Sequence, residues 1–393
     1  LAPARREDGE VAELRVSGAA DAAQSGRPVR AAGALLPSGF RDRLPPAAEA
    51  ASSLVRGVVD AFARRGYERV SPPLVEHEAS LAGWLGKPLG GALFRTSDPA
   101  TGEALALRPD ITGQVARIAA TRLADAPRPL RLAYAGQVAR GRAGQLTPER
   151  ELTQAGAELI GTDGEAGLAE LIGTALEALS AAGVTDLSVD LTTPELVPAL
   201  AAGRWPVADV PALLALLDGK DWGALTGPLA PYRALLDLAG PADTALPQLA
   251  GLAPALAARL EALIARLPAV RITIDPTERH GFEYHSWLGF SLFGQAGGRP
   301  LRGEIGRGGA YAVTHADGRR EPASGVSLYV DMLVDAGLGA VAQARLFLPH
   351  GTPDAVGAEL RAAGWVTVQA LSPDDSDAGA THVWNGTQPV AKG

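Results

Sequence analysis

The chain contains no cysteine, which excludes a disulfide framework and any thiolate metal site. Its 6 histidines are His77, His280, His285, His315, His350 and His382, and none falls into an HxxxH or HExxH array. No metal site is expected. No apolar run approaches the roughly 20 residues that span a bilayer. The N-terminus is polar and lacks the apolar segment of a secretory signal. The expectation is a cytoplasmic protein with no membrane contact. Positive charge is short as well, with 36 Lys and Arg against 44 Asp and Glu. That balance is unlike the basic footprint of a protein that grips a nucleic-acid backbone, so no nucleic-acid partner is expected. No GxxxxGK[ST] loop and no GxSxG turn occur. Asp374, Asp375 and Asp377 lack the EF-hand spacing and read as a solvated loop. No cofactor is therefore expected.

What is present is enough for a substantial core. Of the 393 residues, 47% are apolar, and at roughly 150 residues per domain two or three domains are expected. Residues 1–33 lack sustained periodicity and read as a flexible extension. Residues 34–338 alternate helical and strand patterns and read as an α+β core. Within it, 194–268 is rich in Leu and Ala, is punctuated by Pro and Gly, and reads as a helical insertion with no convincing strand; Trp205 and Trp222 there read as packing residues. Residues 339–393 read as a small C-terminal α/β unit with strands at 344–348, 366–370 and 381–384.

The stretch around which the core is organised is Leu130–Gly161. Leu130, Leu132, Tyr134 and Val138 alternate along one strand; Arg150, Leu152, Gln154, Gly156 and Glu158 alternate along a second. Gly141, Gly144 and Pro148 mark the loop of an antiparallel hairpin. Gly156, bare between Gln154 and Glu158, leaves space for a ligand on the sheet. The plain alternative is an ordinary solvated sheet face. Upstream, Asp110 or Thr112 is placed to cap a helix over 114–122. Downstream, a strand is expected over 288–293, and 326–333 reads as a strand that continues into a helix ending at Gly337. Arg279, His280, Glu283 and His285 form the densest titratable cluster. Together with Asp110, Thr112, Gln154 and Glu158 they supply donors and acceptors for a zwitterion, because a carboxylate wants a cation and an ammonium wants a carboxylate.

In order along the chain, these segments resemble the class II aminoacyl-tRNA synthetase core, and specifically its histidyl branch. Gly66–Pro73 resembles the first, dimer-forming motif, Leu107–Thr112 the R-P-E-x-T ligand loop, and the hairpin the second motif. His280-Gly281-Phe282-Glu283-Tyr284-His285 resembles the R-G-L-D-Y-Y loop. The resemblance implies an antiparallel sheet flanked by helices. It also implies that Asp110, Thr112 and Gln154 hold an amino group, that Glu158 receives an imidazole N–H, and that Arg140 matches the arginine gripping ATP phosphate. His280, Tyr284 and His285 would complete the amino-acid site.

The departures from that family are concentrated in the ATP-handling residues. His280 replaces the catalytic arginine, with Arg279 displaced by one position, and His285 replaces the final tyrosine. Gly308-Gly309-Ala310-Tyr311-Ala312 has lost the arginine and aspartate of its segment, and Met332 stands where an arginine should stack on adenine. Each lost guanidinium contact removes about 1.5–3 kcal/mol, so adenylate chemistry is not expected. A synthetase core of this kind is similar to the regulatory-subunit family of ATP phosphoribosyltransferase, which serves histidine biosynthesis. That likeness implies no activity alone, a short catalytic subunit as partner, histidine as effector, and self-association as a dimer. The alternatives are a divergent histidyl-tRNA synthetase, or a synthetase-like amino-acid-binding paralogue with another partner.

Overall fold

The computed structural model describes residues 36–85, 93–142, 148–278, 285–340, 343–377 and 379–392. The extension at 1–33 lies outside these residues, as do Arg279, His280, Glu283 and Tyr284. In chain order come α1 (Ala47–Ala63), β1 (Glu68–Arg69), β2 (Val75–His77), α2 (Glu78–Leu85), β3 (Phe94–Ser97), β4 (Ala104–Leu107) and α3 (Thr112–Thr121). The hairpin is β5 (Leu130–Ala139) and β6 (Glu151–Ile160), followed by α4 (Glu165–Ala181) and β7 (Thr185–Thr192). Next are α5 (Leu196–Ala202), α6 (Val210–Asp218), a 3-10 turn at Gly227–Tyr232, α7 (Arg233–Leu238), β8 (Gly240–Pro241), α8 (Ala242–Leu252) and α9 (Pro254–Ile264). The core closes with β9 (Arg271–Ile274), β10 (Gly289–Ala296), β11 (Arg299–Pro300), β12 (Gly306–Thr314), β13 (Arg320–Tyr329) and α10 (Val330–Asp335). The C-terminal elements are β14 (Arg345–Leu348), α11 (Asp354–Ala362), β15 (Val366–Gln369), β16 (His382–Trp384) and β17 (Pro389–Ala391). Among the described residues, no helix is long and apolar enough to cross a membrane.

One 10-stranded sheet carries the core, in the order β1-β5-β6-β13-β12-β10-β7-β9-β8, with β11 paired to β10. The α+β class is as expected, but the sheet is mixed rather than antiparallel. Its centre is antiparallel, whereas β1 runs parallel to β5, and β9 parallel to β7. Both parallel pairs follow from crossovers, since each joins strands separated by helices. A second sheet of 4 strands, β15-β14-β16-β17, forms the C-terminal unit, and β2-β4-β3 makes a third.

Period-two alternation assigns the two faces of the large sheet. Ala155, Ala157 and Leu159 of β6 pack in one cluster with Leu54, Val58 and Phe62 of α1 and with Leu168, Leu171 and Ile172 of α4. Fully burying each such Leu, Ile or Phe contributes ~1.5–3 kcal/mol, so this helix layer fixes which face of β6 points away from it. The other face carries Gln154, Gly156 and Glu158. It is covered by α3, whose Val115 packs on Leu132, Tyr134, Val138 and Leu152.

Three local expectations are corrected. The strand placed at 326–333 begins earlier, at Arg320, and gives way to α10 at Val330. Its start was obscured by Pro322 and Gly325, which weaken a strand pattern without preventing one when both neighbours pair. Within the 194–268 stretch, Gly240–Pro241 does form a short strand against β9. Trp205 packs edge-on to Tyr232 at 5.2 Å, whereas Trp222 is 48% exposed under the Arg233 guanidinium.

Candidate functional site

Strand register builds the site face in rows. One row runs Leu132, Glu158, Gly325, Gly309, Gly289 and Thr192 across six strands. The next runs Tyr134, Gly156, Ser327, Arg307, Ser291 and Asp190. Three adjacent glycines thus make a trough of bare backbone beside Glu158. Two side chains lie in it. A Cβ on Gly325 would stand 1.7 Å from Glu158 Oε2, and a Cβ on Gly309 or Gly289 would meet the His285 ring at 2.9 or 3.2 Å. The trough exists so that Glu158 and His285 can lie against the sheet.

Glu158 is fully buried. Its Oε2 accepts from the Tyr311 hydroxyl at 2.8 Å, and the Tyr134 hydroxyl is 3.2 Å from Oε1. Burial pushes its pKa up to about 8, with the Asp110 carboxylate adding to the rise and the tyrosine hydrogen bonds opposing it. The same burial, with Glu158 and Asp110 nearby, raises the Tyr134 phenol well above its ordinary value. Tyr134 also sits 2.8 Å from Ser327 Oγ and 3.3 Å from Thr112 Oγ1.

The ligand loop before α3 is tied into this network. Gln154 Nε2 donates to Asp110 Oδ2 at 2.8 Å and to Ser327 Oγ at 2.6 Å, while its Oε1 accepts from the Ile111 N–H at 3.0 Å. Asp110 Oδ1 accepts from the Thr112 N–H at 2.8 Å. Neither Asp110 nor Thr112 is the N-cap; that position is Ile111, which makes no side-chain cap bond. Asp110 serves the helix N-terminus from one residue further out, and its second oxygen goes to Gln154. Arg108 fastens the same loop to the hairpin, donating to the Gln137 and Pro72 carbonyls at 2.7 and 2.8 Å. Its guanidinium occupies the space that a side chain on Gly136 would need, 2.2 Å from an added Cβ.

Asp110, Thr112, Glu158 and His285 share one cavity with Arg307, Tyr311 and Ser327. The space in it that the centre of a water molecule can reach is only about 10 Å³. Gln154 stands behind Asp110 as its support. Arg140 is elsewhere: its guanidinium lies 5.8 Å from the Tyr329 ring and does not line the cavity. His280 and Tyr284 fall outside the described residues.

One expectation is overturned by the register. The space at Gly156 is not open to a ligand, because an added Cβ would meet the Val326 carbonyl at 2.0 Å and the Tyr134 hydroxyl at 2.9 Å. Ala310, where the family motif has an arginine, is fully buried among the residues packed under the helix layer, on the opposite face from Gly309 and Tyr311. Met332 likewise packs against that core. Its neighbour Asp331 accepts from the Thr153 N–H and pairs with Arg43, which ties α10 to the hairpin. Sequence alone does not single out Tyr134, Ser327, Gly325 or Arg307. Tyr134 reads as one more apolar alternation, and the others lie on strands whose register a sequence alone does not give.

The chain that carries this face, with its buried acid on a glycine trough, belongs to a known class. The model of the histidyl-tRNA synthetase family matches residues 39–333. A solved structure from Bacillus halodurans, described as an ATP phosphoribosyltransferase regulatory subunit/histidyl-tRNA synthetase, superposes with a TM-score of 0.75 at 24% identity, covering 90% of this chain and 96% of that one. Histidyl-tRNA synthetase from Nostoc gives 0.69 at 17% identity, covering 89% and 90%. Both show the class II synthetase-like fold. Closer in sequence is the ATP phosphoribosyltransferase regulatory subunit of Paramagnetospirillum magneticum, 46% identical over 356 residues, or 86% of this chain and 91% of the relative. The namesake from Gluconobacter oxydans is 42% identical over 371 residues, covering 89% and 95%. The chain belongs to the family of ATP phosphoribosyltransferase regulatory subunits.

Proposed function

We propose that this regulatory subunit has no catalytic activity of its own, that it activates a short catalytic ATP phosphoribosyltransferase subunit within a hetero-oligomer, and that it carries histidine feedback. The names of the relatives support the catalytic partner. The buried Glu158 carboxyl, held with Asp110 at one cavity, carries the histidine part. In this reading Asp110 and Thr112, backed by Gln154, meet the ammonium, and Glu158 meets an imidazole N–H. A charge-assisted bond from the ammonium to Asp110 stabilises a bound ligand by about 1.5–3 kcal/mol, and an ordinary one to Glu158 by about 0.5–1.5 kcal/mol. His285 lies across the trough, and His280 and Tyr284 are assigned to the same site by the family motif. Seating histidine requires the cavity to widen from its narrow form. The same reading includes a dimer of this chain and a cytoplasmic location.

The test is reconstitution. The chain alone should show no phosphoribosyltransferase activity, should raise the rate of the short catalytic subunit when mixed with it, and should make that rate fall when histidine is added. If mixing alters neither the rate nor its response to histidine, the reading fails. The match to the histidyl-tRNA synthetase family favours one competing reading, a divergent synthetase. Histidine-dependent exchange of pyrophosphate into ATP by the chain would establish that alternative.

A further inference from the structure

A histidine zwitterion brings a carboxylate as well as two cationic or N–H groups. The Asp110 carboxylate repels that carboxylate, and Glu158, whose burial favours the neutral acid, offers it no countercharge, so a cation has to meet it. The position that the synthetase motif assigns to an arginine is His280, and the other one it assigns, Ala310, has its side chain under the helix layer. The register supplies a different candidate.

We propose that Arg307 is the carboxylate-recognising residue of the cavity and makes it selective for an α-amino acid over the corresponding amine or amino alcohol. This rests on the reading of the cavity as a histidine site. Arg307 is on β12, two residues before Gly309 and four before Tyr311, so its side chain shares their face. Its strand neighbours in register are Ser327 and Ser291, which set short hydroxyl side chains on either side of it. Among the described residues lining the cavity it is the one Lys or Arg. Its side chain is 21% exposed, so solvent screening there is limited. Glu304 pairs with it, and the second oxygen of Glu304 accepts from Ser291 at 2.7 Å, which fixes the acid that holds the guanidinium. The Tyr329 ring lies 5.9 Å from the guanidinium carbon. A guanidinium presents its N–H donors in a planar fork, the geometry that recognises a carboxylate. The cavity thus has an acid side, Asp110 and Glu158, and a cationic side, Arg307, matching the two ends of an amino acid. Arg140, beyond the cavity near Tyr329, is not in that arrangement.

Calorimetric titration of the full chain with L-histidine and with L-histidinol tests this. Histidinol keeps the ammonium and imidazole and replaces the carboxylate with a neutral CH2OH. The wild-type chain should bind histidine at least about tenfold more tightly than histidinol, the scale of one charge-assisted bond. Arg307→Gln should lose about 10-fold to 100-fold of histidine affinity and leave histidinol affinity within about twofold. Arg307→Lys, which keeps the charge but not the fork, should recover part of the loss and serves as the variant of record if Arg307→Gln does not fold. Equal weakening of both ligands by the substitutions would mean a structural role and would overturn the proposal. So would unchanged histidine affinity, even where Glu158→Gln weakens both ligands and the site reading stands. If wild type binds neither ligand, the histidine-site reading itself falls, and this proposal with it.

Discussion

The two ends of one hairpin have taken opposite courses. At the end where β5 and β6 meet the loop, Arg140 and Arg150 are arginines with access to solvent. Arg150 is absorbed into packing: it donates to the Arg140 and Gly141 carbonyls at 3.1 and 2.9 Å, and its guanidinium lies 4.4 Å from the Phe94 ring. At the other end, Gln154 and Glu158 are buried to 1% and 0% exposure, and each of their oxygens has a hydrogen-bond partner. Polar groups buried to this degree cost several kcal/mol unless they are satisfied. The network of Asp110, Gln154, Ser327, Tyr134 and Tyr311 meets that requirement without any ligand. At the loop end the Arg140 charge, which lies off the cavity, can change with little consequence. A change at the buried end leaves a partner stranded in a low-dielectric interior.

Three substitutions bear on that contrast. Gly325→Ala should have the largest effect, because the new methyl collides with the Glu158 carboxylate and the β-sheet leaves it no exit. Overpacking of this kind destabilises by about 1–3 kcal/mol; urea unfolding should report it, and histidine titration should show binding abolished. A wild-type midpoint for this variant would mean that the trough is not needed.

Glu158→Gln separates the charge from the shape. An acid with a folded pKa of about 8 and an unfolded value of 4.5 binds more protons when folded. Its contribution therefore falls as pH rises from about 4.5 to about 8. The glutamine variant does not titrate. Across that window the wild type should lose stability relative to the variant as pH increases, and a constant difference between the two would contradict the buried acid. Least affected should be Arg140→Ala. At a site off the cavity, it should shift unfolding by under about 0.5 kcal/mol and leave histidine affinity unchanged. A tenfold loss of histidine affinity would return Arg140 to the ligand site and dissolve the contrast.

Much of the chemistry was legible in residue order. Asp110, Thr112, Glu158 and His285 do line one cavity, with Gln154 bonded to Asp110 behind them. What misled was side-chain direction. Gly156 read as open floor because its opposite number, Tyr134, is on another strand, and only pairing places the phenol over it. Ala310 read as a lost site arginine because a motif compares positions, not faces. A single-residue step along β12 separates Gly309 and Tyr311 from Ala310 and sends the latter to the opposite side of the sheet. Arg307 shows the converse: it faces the cavity but stands at no position that the motif marks.

By itself, the order of residues determined the period of most strands and helices, the absence of cysteine and with it of any disulfide, and the resemblance to the histidyl branch of the class II synthetases. These are local or one-dimensional properties, set by side-chain type at fixed spacing. The tertiary structure decided which of two faces each alternating strand turns to the helix layer, and hence which polar residues meet. That choice depends on burying Leu54, Phe62, Leu171 and their neighbours against Ala155 and Ala157, a contact between segments far apart in the chain. Once that face is buried, strand geometry leaves Glu158, Tyr311 and Arg307 on the other.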